Sequence, residues 1–118
     1  MSRDELLKNR WNTVVTKLSD QFADGDTLDL DTIIYLIGIQ ELGKPHIEFN
    51  KKEKIDVMHV AVCTLLESFG YYKFTHYDKE GWPHFDVIEK LPVLKAGEQS
   101  LLMKEAIVDY FLENAYIK

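Results

Sequence analysis

The sequence predicts a mainly α-helical fold, in which four helices form a single domain and a β-hairpin lies between the third and fourth helices. Apolar residues recur at helical spacing in four segments, and the segment between the last two helices is dense in residues that favour strands. The chain has 118 residues, of which 46% are hydrophobic and 29% are charged. This length and this balance are typical of one ordinary globular domain and exclude a disordered chain.

The first helix is predicted over about residues 3–23. Ser2 and Glu5 have the spacing of a capping box, in which side chains satisfy the free backbone N–H groups at a helix start. Beyond this start, apolar residues follow at steps of three and four, which places them on one face of the helix. The predicted buried stripe consists of Leu7, Trp11, Val14, Leu18 and Phe22.

The second helix is predicted over about residues 30–42, with Asp29 or Asp31 as its N-terminal cap. Its apolar residues cover nearly the whole circumference, so we expect the helix to be buried in the middle of the fold. Gly38 lies inside this helix, where glycine costs ~1 kcal/mol relative to alanine. A close contact with another helix would offset that cost. Gly43 has the position expected of a helix end.

The third and fourth helices are predicted over about residues 51–69 and 98–114. Asn50 and Glu53 repeat the capping-box spacing at the start of the third helix. Its predicted buried stripe consists of Ile55, Met58, Val62, Leu65 and Phe69. The apolar residues of the fourth helix are spread more widely, so we expect it to contact neighbours on more than one side.

The hairpin is predicted over about residues 71–88. Residues 71–77 (YYKFTHY) favour a strand, and residues 78–81 (DKEG) favour a type I turn with Gly81 in the left-handed conformation. Residues 82–88 then form the returning strand, which Pro83 confines to a sheet edge. An alternative is a short helix with Pro83 at its first position, and the fold would then be all-α.

Three stretches of the chain carry a resemblance to other proteins: 36–43 (LIGIQELG), 54–63 (KIDVMHVAVC) and 78–84 (DKEGWPH). Together they resemble a family of small, uncharacterised bacterial proteins. The resemblance covers most of the chain and implies a bacterial origin. It implies no activity, because no function is established for that family.

Charge and composition exclude several classes of protein. The net charge of -6 opposes binding to a phosphate backbone, so we predict no nucleic-acid partner. Cys63 is the single cysteine and cannot form an internal disulfide. The longest apolar stretch, residues 33–39, is short of the ~20 residues that span a membrane. The N-terminal residues lack the pattern of a signal peptide, and we therefore expect a cytoplasmic protein with no membrane contact.

The third helix carries the residues that come nearest to a metal site. Asp56, His59 and Cys63 are spaced to lie on one side of it, and Glu41 of the second helix is predicted to approach them. A carboxylate and a histidine three residues apart resemble half of a di-metal bundle site, and a zinc site from His59, Cys63 and an acid is the simpler variant. The alternative is a histidine at the core boundary, hydrogen-bonded to Glu41 or Asp56, beside a buried Cys63. We predict no cofactor.

The sequence does not predict an enzyme. Cys63 and His59 have the spacing of a nucleophile and a base on one helix, but the apolar residues around Cys63 predict that its thiol is buried. The chain has no glycine-rich loop between a strand and a helix that would hold phosphate. We therefore name no catalytic residue.

The aromatic residues are unevenly distributed. Half of the chain's Phe, Tyr and Trp residues lie between positions 69 and 85, more than the inner face of a hairpin can bury. We predict a contact surface made of Tyr72, Tyr77, Trp82 and Phe85, with Trp82 as its anchor. The alternative is that all of these rings belong to the core.

These observations favour a small cytoplasmic protein-interaction or adaptor module that self-associates as a homodimer. The alternative function is a metal- or small-ligand-binding protein that uses Glu41, Asp56 and His59.

Overall fold

The computed structural model describes residues 2–43 and 48–116, which form four helices and one antiparallel hairpin. The elements are α1 (Arg3–Phe22), α2 (Leu30–Leu42), α3 (Lys51–Glu67), β1 (Tyr72–Tyr77), β2 (Pro83–Val87) and α4 (Ala96–Glu113). The predicted mainly α fold with a hairpin between α3 and α4 is confirmed. Across these residues, no helix has both the length and the apolar character that crossing a bilayer requires.

The chain divides into two compact units. The first consists of the residues up to Ile33 and those from Leu94 onward, and so contains α1, the start of α2, and α4. The second consists of Ile34–Val93, and contains the rest of α2, α3 and the hairpin. The single-domain organisation stays a prediction.

The helix starts follow the predicted capping patterns. The Ser2 side chain accepts a hydrogen bond from the Glu5 N–H, at 3.2 Å. Asn50 and Glu53 form a complete capping box, with bonds of 2.8 and 3.1 Å. Asp29 rather than Asp31 caps α2, because its carboxylate accepts the Thr32 N–H at 2.8 Å. Hydrogen bonds from the Thr32 side chain and backbone lower the pKa of the Asp29 carboxyl.

In the first unit, α1 packs against α4. Val14 and Leu18 are buried as predicted, and the Lys104 ammonium lies 5.4 Å from the centre of the Trp11 ring. Phe22, predicted to end the buried stripe, is instead 55% exposed, since it is the last residue of α1. The buried residues of α4 are Ala106, Ile107, Val108 and Phe111.

In the second unit, α2 and α3 are in very close contact at Gly38. A Cβ atom placed on Gly38 would lie 2.4 Å from the Val57 carbonyl oxygen and 2.6 Å from the Val57 Cγ1 atom. Real side chains do not approach so closely, so only glycine fits at this position. The predicted helix–helix contact that offsets the cost of Gly38 is present.

The buried face of α3 differs from the predicted stripe. Its buried residues are Val57, Val60, Ala61, Cys63, Leu65 and Leu66. Ile55 is 63% exposed, although it was the first member of the predicted stripe. The apolar residues of α3 are spread around its circumference, so their spacing in the sequence did not indicate which face is buried. The close contact with Gly38 shows that Val57 faces inward.

The hairpin turn has the predicted geometry. Gly81 has a φ angle of +87°, and its N–H donates to the Asp78 carbonyl oxygen at 3.0 Å. The Asp78 carboxylate also accepts the N–H groups of Glu80 and Trp82, at 2.9 and 3.0 Å. Pro83 begins β2, so the alternative of a short helix in this segment, and with it the all-α fold, is wrong.

Candidate interaction surface

A β-bulge decides which side chains share a face of the hairpin. Tyr72 pairs with Val87 and Phe74 with Phe85, but the register then shifts before His76, which leaves Thr75 as the extra residue. Side chains alternate between the faces of a strand, and opposite partners share a face. The bulge therefore moves Tyr77, the partner of Pro83, onto the same face as Phe74.

The face that results is apolar and combines exposed residues with the half-buried Tyr72 and Phe85. We call it the hairpin apolar face, and define it as Tyr72, Phe74, Tyr77, Phe85 and Val87. The ring centres of Phe74 and Phe85 are 5.9 Å apart, and those of Phe74 and Tyr77 are 4.9 Å apart. Phe74 is 37% exposed, whereas Tyr77 and Val87 are each 62% exposed. Because these rings contact one another and also face solvent, we treat the patch as a candidate binding surface.

The opposite face of the hairpin is polar. His76 and His84 are cross-strand partners whose rings stack in parallel, with centres 4.9 Å apart. His84 donates a hydrogen bond to the Asp78 carboxylate at 2.9 Å, and this bond, together with those from backbone N–H groups, lowers the pKa of Asp78. Lys73 pairs with Asp86 on the same side. The hairpin is thus two-sided, with aromatic residues on one face and ionisable residues on the other.

Trp82 holds the hairpin to the core of the second unit. It is half-buried and packs against the cluster of Leu42, Phe49 and Val57, with its ring centre 6.0 Å from that of Phe49. It precedes β2, outside the hairpin apolar face. Trp82 was predicted to anchor the contact surface together with Tyr72, Tyr77 and Phe85. The structure places those three on one face of the hairpin and places the half-buried Trp82 against the core cluster instead.

The structure does not group the four candidate metal ligands as a metal site. Across residues 2–43 and 48–116, no three His, Cys, Asp or Glu side chains are grouped as a bound ion requires. Asp56 and His59 are exposed and Glu41 is half-buried, whereas Cys63 is only 1% exposed. The Cys63 Sγ atom lies 3.5 Å from His59 Nε2. Cys63 is therefore a small buried residue, as expected if these residues are structural rather than metal ligands. His59 is more exposed than that interpretation expected, because it placed His59 at the boundary of the core.

Burial makes Cys63 a poor nucleophile, so we predict that its thiol reacts slowly in the folded protein. Loss of solvation raises the pKa of its thiol from 9.0 to about 11, so the thiol stays protonated at neutral pH. We expect a thiol-specific reagent to modify the native protein far more slowly than the protein in denaturant, where one thiol should react at once. Equal rates in buffer and in denaturant would contradict the burial.

The same burial makes the stability of the protein depend on pH. Because the folded state holds the Cys63 proton more tightly than the unfolded state does, the contribution of Cys63 to the free energy of unfolding is lost as the pH rises from 9.0 to about 11.

Comparison with known proteins gives no match to a protein-family model, to a curated protein or to a solved structure. The predicted resemblance to a bacterial family receives no support from these comparisons. We therefore infer the function from the geometry of the chain itself.

Proposed function

We propose that the protein is a protein-interaction module that self-associates through the hairpin apolar face. The observation that carries the proposal is the exposed, mutually packed ring cluster around Phe74 and Tyr77. Removal of apolar area from water contributes about 25 cal/mol per Å². Aromatic side chains provide much of this area while losing few rotatable bonds, so this cluster is the part of the hairpin best suited to a protein contact.

A second copy of the same chain is the partner that the surface favours. The hairpin apolar face has no charged residue, so the net charge of -6 is not concentrated where two copies would meet. A twofold interface places the same patch on both partners, and an uncharged aromatic face is complementary to itself without matched ion pairs.

The strand edges are less suited to the contact than this face. The Glu67 carboxylate accepts the N–H of Phe74 in β1, which removes a donor from further strand pairing. Pro83 in β2 has no N–H to donate. We therefore expect the two copies to pack face to face rather than to extend one sheet.

Two variants that add the same charge to opposite faces of β1 test the proposal. Tyr77→Asp places like charges across a twofold interface and should weaken the dimer by at least tenfold, because a charge facing a like charge costs several kcal/mol. The matched control, His76→Asp, adds its charge to the polar face of the hairpin and should leave the dimer unchanged. Sedimentation velocity over a range of concentrations measures the dimer, and thermal melts verify that both variants fold.

An unmodified protein that stays monomeric at every concentration would overturn the proposal. Equal weakening by the two variants would do the same, because it would mean that charge rather than the apolar face controls association. Trp82→Ala is unsuitable for this purpose, since it also removes a ring that packs against the core.

The cytoplasmic location, the adaptor role and the bacterial origin remain expectations of the sequence. For the alternative of a metal- or small-ligand-binding protein that uses Glu41, Asp56 and His59, the described residues contain no grouped set of metal ligands, and we do not propose it. Asp56 and His59 line a groove between α3 and the turn end of the hairpin.

A further inference from the structure

Residues 88–95, which we call the connecting segment, join the hairpin to α4 and belong to no helix or strand. The segment is fixed at both ends. The Ile88 N–H donates to a backbone carbonyl oxygen beside β1 at 2.9 Å, and the Leu94 carbonyl oxygen accepts a side-chain hydrogen bond from α4 at 3.0 Å. Between these points, Val93 is fully exposed and Leu91 is 39% exposed. An irregular apolar stretch of chain is thus presented to solvent while both of its ends stay attached.

The backbone of the connecting segment is available to another chain. Within the part of the chain that the structure describes, the N–H groups of Leu91 and Val93 have no hydrogen-bond partner. Pro92 between them has no N–H, and a proline ring fixes φ at about −65°, which favours an extended backbone. In an extended chain, alternate residues direct their N–H groups to the same side. Leu91 and Val93 can therefore bond to one partner, while Pro92 faces away from it.

A second copy of the connecting segment is a poor partner for it. If two copies paired antiparallel about Pro92 and Val93, Lys90 of one copy would lie opposite Lys95 of the other. Like charges directly opposite each other destabilise paired strands, and Lys and Pro on exposed strands oppose pairing between copies. The connecting segment is better suited to a cleft of another protein that binds an extended chain.

We propose that the Val93–Leu94 peptide bond is a cleavage site for a serine endoprotease whose specificity pocket takes small apolar side chains. A cleft of this kind binds the residues before the cut as an extended strand, through main-chain hydrogen bonds. The side chain just before the cut enters the pocket, which is small in elastase and contains an aspartate in trypsin. Val93 is small, apolar and fully exposed, so it can enter the first kind of pocket. Lys95, after the cut, is also extended, with φ −68° and ψ 157°.

Cleavage at this bond is a hydrolysis. Water adds across the amide bond, which leaves a carboxylate on Val93 and an ammonium group on Leu94. Because α4 begins at Ala96 and packs against α1, we expect the fragment that contains α4 to stay bound, so that both fragments elute together from a gel-filtration column. Separate elution would contradict this retention. The proposal is independent of self-association, since the residues on both sides of the cut lie outside the hairpin apolar face.

Digestion of the full chain with a trace of pancreatic elastase tests the proposal, and intact mass spectrometry identifies the products. We expect residues 1–93 and 94–118 to be the first two products. Val93→Asp should slow this cut by roughly tenfold or more, because a carboxylate is disfavoured in an apolar pocket. The matched control is Ile55→Asp, which adds the same charge to a residue of α3 that is 63% exposed. This control should be cut after Val93 as fast as the unmodified protein.

Three results would overturn the proposal. One is a native chain that stays intact under conditions that digest the denatured protein. Another is a first cut at a different bond, of which Val87–Ile88 is the closest comparison, because Val87 is also exposed but lies in the paired strand β2. The last is equal slowing in Val93→Asp and Ile55→Asp, because added charge rather than the side chain before the cut would then control the rate.

Discussion

Replacement of Ile37 by aspartate should prevent recovery of folded protein. Ile37 lies in α2 and is only 2% exposed, so the new carboxylate would be buried away from water. An unpaired buried charge costs several kcal/mol, a large share of the ~5–15 kcal/mol by which domains of this size are stable. We expect Ile37→Asp to appear in the insoluble fraction, or to be soluble without a cooperative thermal transition.

Ile55→Asp is the matched control for this change. It makes the same substitution in α3 at a residue that is 63% exposed, so the carboxylate stays hydrated. Its melting temperature should lie close to that of the unmodified protein, since exposed substitutions alter stability by about 0.5 kcal/mol or less. Circular dichroism and thermal melts compare the pair. An Ile37→Asp protein that melts like the Ile55→Asp protein would show that α2 is not buried as described.

Gly38→Ala should destabilise the protein, although alanine is the better helix former. Helix propensity alone predicts a gain of ~1 kcal/mol. The added Cβ would meet the Val57 carbonyl oxygen at 2.4 Å, and this atom belongs to the backbone of α3 and cannot rotate away. Separation of the two helices loses contacts on both sides, and overpacking of this kind costs ~1–3 kcal/mol or more. We expect steric overlap to outweigh propensity, with a net loss of at least 1 kcal/mol.

Gly97→Ala makes the same substitution where there is space. Apart from its chain neighbours and the local backbone of α4, no atom of the described residues lies within 4 Å of a Cβ placed on Gly97. We expect this variant to be unchanged or more stable by up to ~1 kcal/mol, because alanine lowers the entropy of the unfolded chain. Chemical denaturation of both variants gives the two free energies of unfolding. A stabilising effect at Gly38 equal to that at Gly97 would contradict the close contact between α2 and α3.

Local features of the fold could be predicted from the sequence because the hydrogen bonds that form them join residues only a few positions apart. The capping box of Asn50 and Glu53 and the turn closed by Gly81 each depend on partners three positions apart. The helix bounds follow from these signals to within two residues, and the largest differences are at α4, which begins two residues earlier than predicted, and at α3, which ends two residues earlier. Gly38 was informative for a related reason, since glycine inside a buried helix indicates a close neighbour.

The side chains that face outward could not be predicted in the same way. Ile55 is exposed although it is apolar, because the apolar residues of α3 lie on several sides of the helix. Which side is buried depends on the elements that pack against α3, and these are distant in sequence. The bulge at Thr75 is a property of paired strands, and no local signal in residues 72–77 marks it. It decides that Tyr77 joins Phe74 on one face. Aromatic density therefore predicted a contact surface on the hairpin, but not the separation of Trp82 from it.

The most direct measurement of the central proposal is a dilution series of amide proton–nitrogen correlation spectra of the labelled protein. If two copies meet at the hairpin apolar face, the resonances that move with concentration should belong to residues 72–77 and 83–87, and they should stop moving in Tyr77→Asp. The resonances of α1 should stay fixed over the same range. Spectra independent of concentration, or shifts centred on α1 and α4, would contradict self-association through this face.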